Sequence, residues 1–475
     1  MDDRYTKLIL PIILLSCCLL AVYVAIFRPG YLSSARYLGA LVFLQIMAAA
    51  IWNYRQRFFV LLLVVFLWAG MALPLRAAWV SGRWFVLTAG ALAGFVIYMK
   101  DRDQHFGLFH LVAFFCVLAA LISAMASAYP EQAILKTLSL VLLFLYGAAG
   151  ARLAVMGREA QFFNGVLLGC ELLVYFSVIS YFIFHFAIFG NPNSLGALMG
   201  VAVVPFLLWG VIISAGERRQ RRRTFALVLS CLLLLSSYAR AGIVGGILGC
   251  LVLTVGLRRY RLLIKGLGVA LLLAVFVVGL LPMQEGQTES ITSRFVYKGH
   301  RNEGVLGSRL SVWQRTSASI QEHPWFGTGF GTSETLAETN NHSLGFESAG
   351  EATREHGSSY LAIAEWVGLL GMLPFFVLTA LVGFNVIRVM GWMRSTGKAY
   401  APAVPLAAVL AAGLAHAAFE DWLFAVGYYL CVFFWSLAFV FIDVVPQTAS
   451  SLAVSKAPQP SGGWANGVGV VLPQR

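Results

Sequence analysis

The sequence predicts an all-α polytopic membrane protein, a bundle of about 12–14 transmembrane helices with one large loop domain. Two observations support this fold class. The mean hydropathy is +0.80, with 59% hydrophobic and only 12% charged residues, a composition unlike that of soluble domains. The chain also contains fourteen apolar runs, each of about 15 to 31 residues and compatible with crossing roughly 30 Å of hydrocarbon.

The apolar runs divide the chain into four predicted parts. Residues 1–281 form an N-terminal bundle of about eleven spans, residues 282–356 a large outer loop, residues 357–443 further membrane helices, and residues 444–475 a tail. The tail is rich in Ser, Pro, Gly and Ala, so we expect it to be disordered. The spans are predicted at 8–27, 37–52, 58–75, 84–99, 106–127, 133–154, 162–189, 194–214, 225–239, 241–257, 263–281, 357–387, 402–419 and 423–443.

The first apolar run, residues 8–27, is continuous over twenty residues. No small-residue cleavage pattern follows a short apolar core, so we expect a first span and not a removed signal peptide. Lys and Arg beside spans are retained in the cytoplasm. With the N-terminus inside, the inner segments carry twenty Lys and Arg and the short outer loops carry six. Both termini are therefore predicted in the cytoplasm.

The apolar stretch 225–257 decides which side the large loop occupies. As one helix of 33 residues it would run about 50 Å and overshoot the bilayer. It would also place the arginine clusters at 218–223 and 258–261 on opposite faces. We therefore predict two short spans that meet in a turn at 238–242, which puts Arg240 at the outer membrane edge and residues 282–356 outside.

Charge and cysteine usage exclude several protein classes. The net charge is +13, but the basic residues lie between apolar segments and form no stripe interleaved with exposed aromatics, so we expect no nucleic-acid partner. All seven cysteines lie within apolar segments and form no CxxC pair. This pattern favours small core residues over disulfides or a metal site.

The large polar loop is the main candidate for chemistry outside the bilayer. It holds nine acidic and six basic side chains and four of the eight histidines. His356 lies where the loop returns to the membrane, at the start of a predicted helix that carries Glu365. A histidine there can be neutral near pH 7 and accept a proton from a hydroxyl. The alternative is a hydrogen-bonded surface histidine without a catalytic role.

Two arginines are candidates for binding phosphate at the membrane surface. Arg240 and Arg309 can each present a planar donor fork to a phosphate in the lipid headgroup zone. The alternative for Arg240 is snorkelling or simple headgroup contact. Glu171 and Glu365 are costly inside spans unless paired, so they either join helices or line a polar cavity. Glu420 and Asp421 lie near His416 at an outer span end and are candidates for the same cavity.

Other patterns lack the residues that their chemistry requires. The glycine-rich run 327–332 has no lysine at the spacing of a phosphate loop, so a turn is the better interpretation. Asn341 begins a glycosylation-type tripeptide, a pattern that is frequent by chance. No HExxH motif or acidic cluster points to a metal, and no metal or other cofactor is predicted.

Several short motifs occur in a fixed order between about residues 190 and 375. They are Gly190–Asn193 before a span, Ser236–Arg240 at a turn, Arg309 with Trp313, His323–Gly329, and His356 with Tyr360, Leu361 and Glu365–Gly368. In their order and membrane placement these motifs resemble the O-antigen ligase and polysaccharide polymerase superfamily of bacterial membrane glycan transferases. One departure is Gly357 after the histidine, where relatives often have Asn.

The resemblance implies an inverting, metal-independent glycosyl transfer at the periplasmic face of the bacterial inner membrane. The donor would be a glycan linked to a polyprenyl diphosphate such as undecaprenyl diphosphate. The acceptor would be a sugar hydroxyl of another glycan or of lipid A-core. Arg240 and Arg309 would hold the diphosphate, and His356 would be a base or an acceptor-positioning group. Further predicted substrate-binding residues are Glu365, Trp313 and His416.

Three classes of function remain open from the sequence. The first is a transferase, whether a ligase, a polymerase or a protein O-glycosylation enzyme, making lipopolysaccharide or exopolysaccharide. The second is a transporter or flippase of a lipid-linked glycan or another solute, but transporters usually bind at the bilayer midplane through broken helices and internal repeats. The third is a structural membrane anchor, which leaves Arg240 unexplained.

Overall fold

The fold was analysed in a computed structural model, which describes residues 35–74, 76–100, 106–280, 307–333 and 355–446, with scattered residues between 15 and 30. The structure is 81% helical, and the described residues contain no strand, which confirms the all-α fold class. Within these ranges we number the helices α1 Ala35–Trp52, α2 Tyr54–Ala69, α3 Arg76–Lys100, α4 Leu108–Met125, α5 Pro130–Val155, α6 Glu159–Ile183, α7 Pro192–Ile212, α8 Glu217–Ser236, α9 Arg240–Gly256, α10 Tyr260–Leu280, α11 Gly307–Glu322, α12 Ser359–Thr396, α13 Ala403–Ala417 and α14 Tyr429–Val444.

The helices coincide with the apolar runs of the sequence. Every predicted span from 37–52 onward contains a helix. The described residues leave out most of the predicted span 8–27, the tail after residue 446, and His300, Asn341 and His342. Six of the described helices are long and apolar enough to cross a membrane, or seven if the bent pair α1–α2 is one span. Three further apolar helices, α9, α13 and α14, are shorter. The chain is a multi-pass membrane protein.

The stretch 225–257 is divided into two helices, as the sequence predicts. Helix α8 ends at Ser236 and α9 begins at Arg240. Tyr238 between them has a φ of 53°, in the left-handed region that neither helix can contain. Arg240 is therefore the first residue of a helix and not a charge in the middle of one.

Small residues bring three helices close together beneath the site. A Cβ atom on Gly200 of α7 would lie 1.9 Å from the Gly242 carbonyl oxygen of α9, and one on Gly245 would lie 3.0 Å from the Ala412 carbonyl oxygen of α13. Backbones this close require glycine and give extensive van der Waals contact. The packing places the first turns of α7 and α9 beside the last turn of α13.

Helix α12 is interrupted near its start, and a loop fills the interruption. Gly368 has φ 68° and ψ 178°, a conformation outside any helix. The backbone N–H groups of Thr328 and Gly329 donate to the carbonyls of Glu365 and Trp366 at 2.9 and 3.0 Å. The loop 324–333 thus satisfies carbonyls that the interrupted helix leaves without its own N–H donors.

Glu171 joins two helices. Its buried carboxylate on α6 lies 2.8 Å from Nε of Arg222 and 3.5 Å from Nε of Arg223, both on α8. Of the two roles open from the sequence, the structure favours the contact between helices over a polar cavity. A buried carboxylate with cationic partners avoids most of the cost of an isolated charge.

Candidate functional site

The site forms where the ends of several helices meet around the segment that leads into α12. Helices α7, α9 and α12 begin here, α13 ends here, and α11 packs against α12. Asn191 caps α7, because its side-chain oxygen accepts from the backbone N–H of Asn193 at 2.9 Å. Polar residues at helix ends, and not within apolar helix faces, therefore supply the side chains of the site.

Arg309 on α11 is held between two carboxylates. Its Nη1 donates to Glu355 Oε1 at 2.7 Å, and its Nη2 donates to Glu420 Oε1. The Arg309 side chain is 12% exposed, whereas Glu355 is 63% and Glu420 22% exposed. The exposed pair with Glu355 is the weaker of the two because solvent screens it.

His356 is fully buried and has polar partners on both sides of its ring. Nδ1 lies 3.1 Å from Asp421 Oδ2, which also accepts from the backbone N–H of His356 at 2.8 Å. Nε2 lies 3.2 Å from Ser333 Oγ and 3.4 Å from Glu365 Oε2. The imidazole thus connects the loop 324–333, α12 and the segment between α13 and α14.

Glu365 lies behind the histidine and away from solvent. It is 1% exposed, and its Oε1 accepts from Ser319 of α11 at 3.2 Å. Trp366 packs edge-on against the His356 ring at 5.2 Å between centroids. Of the roles predicted for Glu365, these contacts favour joining α12 to α11 and supporting His356 over lining a polar cavity or binding substrate.

A polar cavity of about 310 Å³ opens beside these residues. Its walls include His416, Glu420 and Asp421, whereas Glu171 and Glu365, which the sequence made candidates for the same cavity, do not line it. The opposite wall comes from the first turn of α7. The lining residues are Asn191, Asn193, Ser194, Ala197, Glu355, His416, Glu420, Asp421, Trp422, Ala425 and Tyr428.

The two adjacent carboxyl groups of this cavity differ in acidity. Burial raises the pKa of Glu420, and the nearby guanidinium of Arg309 only partly opposes the shift. Burial also acts to raise the pKa of Asp421, but the hydrogen bonds from the ring and backbone of His356 outweigh it and lower that pKa overall. Asp421 is thus the more firmly ionised of the pair.

The other predicted residues occupy distinct positions. Arg240 lies near enough to Arg309 for their positive charges to interact. His416 lines the cavity, and its Nδ1 accepts from Trp422 Nε1 at 2.6 Å. Trp313 donates from Nε1 to the Gly357 carbonyl at 3.2 Å, so its contact is with the return of the chain and not with the cavity. Gly357, the position that departs from the expected motif, has a φ of 68°.

Sequence reasoning gave no role to several residues of this site. The only feature of the sequence that could have pointed to Glu355 is its position directly before His356. Asn191 and Asn193 were part of the family resemblance without a function. Tyr428 follows no motif and is brought in by the turn before α14. Within the described residues, no group of three or more His, Cys, Asp or Glu is arranged to hold a metal ion.

Residues 225–376 match the family model described as O-antigen ligase. This segment is similar to O-antigen ligases. It contains Arg240, Arg309, His356 and Glu365, four of the residues around the site. No curated protein matches the chain.

The matched segment supplies only part of the cavity. Asn191 and Asn193 precede it, while His416, Glu420 and Asp421 follow it. The similarity supports glycan transfer of the ligase or polymerase type in general. Helices on both sides of the matched segment complete the cavity.

Proposed function

We propose that this protein transfers a glycan from a polyprenyl diphosphate to a sugar hydroxyl at the periplasmic face of the bacterial inner membrane, with inversion and without a metal. The observation that carries the proposal is that Glu420 and Asp421 line one polar cavity and are hydrogen-bonded to Arg309 and His356, which both lie in the segment similar to O-antigen ligases. Arginine supplies the charge for a diphosphate, and the carboxylates supply sites for a sugar hydroxyl and its proton.

Arg309 and Arg240 stabilise the leaving group. In the transfer, the bond between the anomeric carbon and the diphosphate oxygen breaks, and the diphosphate gains negative charge. Two guanidinium groups close to each other favour that charge, and their mutual repulsion is relieved when the anion lies between them. Arg309 exchanges its carboxylate partners for phosphate oxygens, and the exposed contact with Glu355 is the easier one to exchange.

Asp421 accepts the proton of the attacking hydroxyl, and His356 positions Asp421. The sequence left two roles for His356, a base or a positioning group. Its complete burial and its contacts on both ring nitrogens favour the second role. Asp421 faces the cavity, so its carboxylate can meet the acceptor hydroxyl as the new bond forms on the face opposite to the diphosphate.

Asn191, Asn193 and Tyr428 form the remaining polar wall and bind the sugar. Neutral amide and phenol groups exchange hydrogen bonds with hydroxyls in both directions, as sugar recognition requires. This wall does not distinguish among a lipid A-core, a growing polysaccharide and a glycosylated protein as the acceptor. The three acceptors share the same chemistry at the attacking hydroxyl.

Reconstitution with a synthetic polyprenyl-diphosphate glycan and a sugar acceptor tests the proposal. We expect a new glycosidic product of inverted configuration and release of polyprenyl diphosphate, at the same rate with and without EDTA. Loss of transfer in EDTA and its return with added metal would contradict the metal-independent mechanism. Movement of the intact lipid across the vesicle without any product would instead support a transporter.

A further inference from the structure

A second cavity lies between α2 and α6, away from the site described above. Its volume is about 500 Å³, within the usual range for small-molecule sites. Most of its wall is apolar, with α14 and α7 forming the floor. Polar side chains are concentrated at one end, where the cavity is lined by Arg55, Gln56, Arg158 and Gln161.

The cavity is a groove that follows two helices. On α6 the lining residues recur every three or four positions from Arg158 to Leu173, a distance of about 22 Å at 1.5 Å per residue. On α2 they run from Arg55 to Leu67, about 18 Å. These lengths exceed half of a hydrocarbon core of roughly 30 Å. The groove is therefore long enough for an acyl chain that belongs to one leaflet.

The polar end of the groove lies at the end of the bundle opposite to the candidate site. It surrounds the start of α6, whereas the polar cavity begins with Asn191 after the far end of the same helix. Nη1 of Arg158 is buried and has no hydrogen-bond partner within the described part of the chain. A buried guanidinium nitrogen without an acceptor is costly, and an anionic oxygen would satisfy it.

We propose that this groove binds a diacyl phospholipid with an anionic headgroup. The lipid phosphate contacts Arg55 and Arg158, the glutamines bond to headgroup oxygens, and one acyl chain lies along the apolar groove. The charge favours an anionic headgroup over phosphocholine, whose own cation would face two arginines. A polyprenyl chain extending from the candidate site has no charge at its distal end, so it offers no acceptor to Nη1 of Arg158.

Two glycines make the groove open to a direct test. Gly165 and Gly169 both line it, and a Cβ atom added to either meets nothing within 4 Å. The double substitution Gly165→Leu and Gly169→Leu therefore places two apolar side chains in the groove, with Cβ atoms that meet no neighbouring atom. Gly391 of α12 is the matched control, because it is helical and equally open but does not line the groove.

The protein is reconstituted into vesicles of equal parts phosphatidylglycerol and phosphatidylcholine, extracted in mild detergent, and its bound lipid is measured by mass spectrometry. We expect the wild type and Gly391→Leu to retain phosphatidylglycerol about 10-fold over phosphatidylcholine, since charge-assisted bonds to arginine differ between the two. The filled groove should lose both lipids, and Arg158→Gln should lose the preference. Equal retention of the two lipids by the wild type would overturn the proposal.

Arg158→Gln also decides the outcome if the filled-groove variant does not fold, because it preserves the packing of the groove. An unchanged preference in a folded Arg158→Gln protein contradicts the headgroup contact. Lipid retention is read without any glycan transfer, so its result is independent of the proposed activity.

Discussion

Asp421 Oδ2 lies 2.8 Å from the backbone nitrogen of His356 and 3.1 Å from its ring Nδ1, so one carboxylate oxygen fixes both the chain and the ring of the histidine. The histidine has no exposed surface, whereas the aspartate lines the polar cavity. A substitution at position 356 should therefore act on the substrate indirectly, by moving the carboxylate of Asp421.

Asp421→Asn should slow transfer by about 10²–10⁴-fold, because the amide cannot accept the acceptor proton. His356→Ala should also be slow, and the double variant should be no slower than Asp421→Asn alone. The rate constant kcat and the KM for the lipid-linked donor are measured for all three. If the losses of the single variants multiply in the double variant, the two residues act independently and the positioning role is wrong.

Arg309→Lys should lower kcat/KM for the donor by about 10²–10³-fold, because an ammonium cannot reproduce the fork that reaches two oxygens. Arg315→Lys is the matched control, because Arg315 lies on the same helix with an exposed side chain. It should stay within about twofold of the wild type. Equal kinetics for the two lysine variants would remove Arg309 from the site.

Glu355→Gln should lower the donor KM or leave it unchanged, because this carboxylate competes with the diphosphate for Arg309. The gain should not exceed about fivefold, since exposed ion pairs contribute about 0.2–1 kcal/mol. Initial rates across donor concentrations measure it. A large rise in KM would instead mean that Glu355 contacts the substrate.

Glu420 should make donor binding depend on pH. Its pKa is raised by burial, so as the pH falls from neutrality it protonates before an ordinary glutamate would. Arg309 then loses a carboxylate partner and becomes more available to the diphosphate, while Asp421, with its lowered pKa, keeps its charge. As the pH is lowered, the donor KM should decrease in the wild type and stay constant in Glu420→Gln. The same pH profile in both proteins would contradict this assignment.

Gly368→Ala should destabilise the protein by at least about 1–3 kcal/mol. The residue has a positive φ, and an added Cβ atom would lie 2.3 Å from the Trp325 carbonyl oxygen. Gly391→Ala in the same helix meets no atom within 4 Å and should be neutral or slightly stabilising. Thermal unfolding in detergent compares the two variants. Equal melting temperatures would show that the α12 interruption tolerates a side chain.

The sequence predicted the helices well because an apolar run that crosses a membrane must satisfy its own backbone. Its length therefore limits each helix, as at the turn before Arg240. The bend of 119° between α1 and α2 could not be predicted from the length of an apolar run. Neither did the insertion of loop 324–333 into α12, because both depend on contacts between distant parts of the chain.

The candidate site was predictable only where charge stood out against an apolar background. Arg240 and His356 were visible for that reason, and so were Glu420 and Asp421 at an outer span end. The burial of His356 was not visible, because it comes from Trp366 and Ser333 packing around the ring. The pairing of Arg309 with two carboxylates was not visible either, because Glu355 and Glu420 are 46 and 111 positions away from it in the sequence.

The contact between Ser333 Oγ and His356 Nε2 joins two points of the chain that are 23 positions apart. Together with the backbone bonds from loop 324–333 to α12, it holds α11 and the start of α12 together whatever connects them covalently. The attachment of α11 to the start of α12 therefore rests on contacts within the described residues, and Ser333 is the point at which the loop 324–333 reaches the histidine.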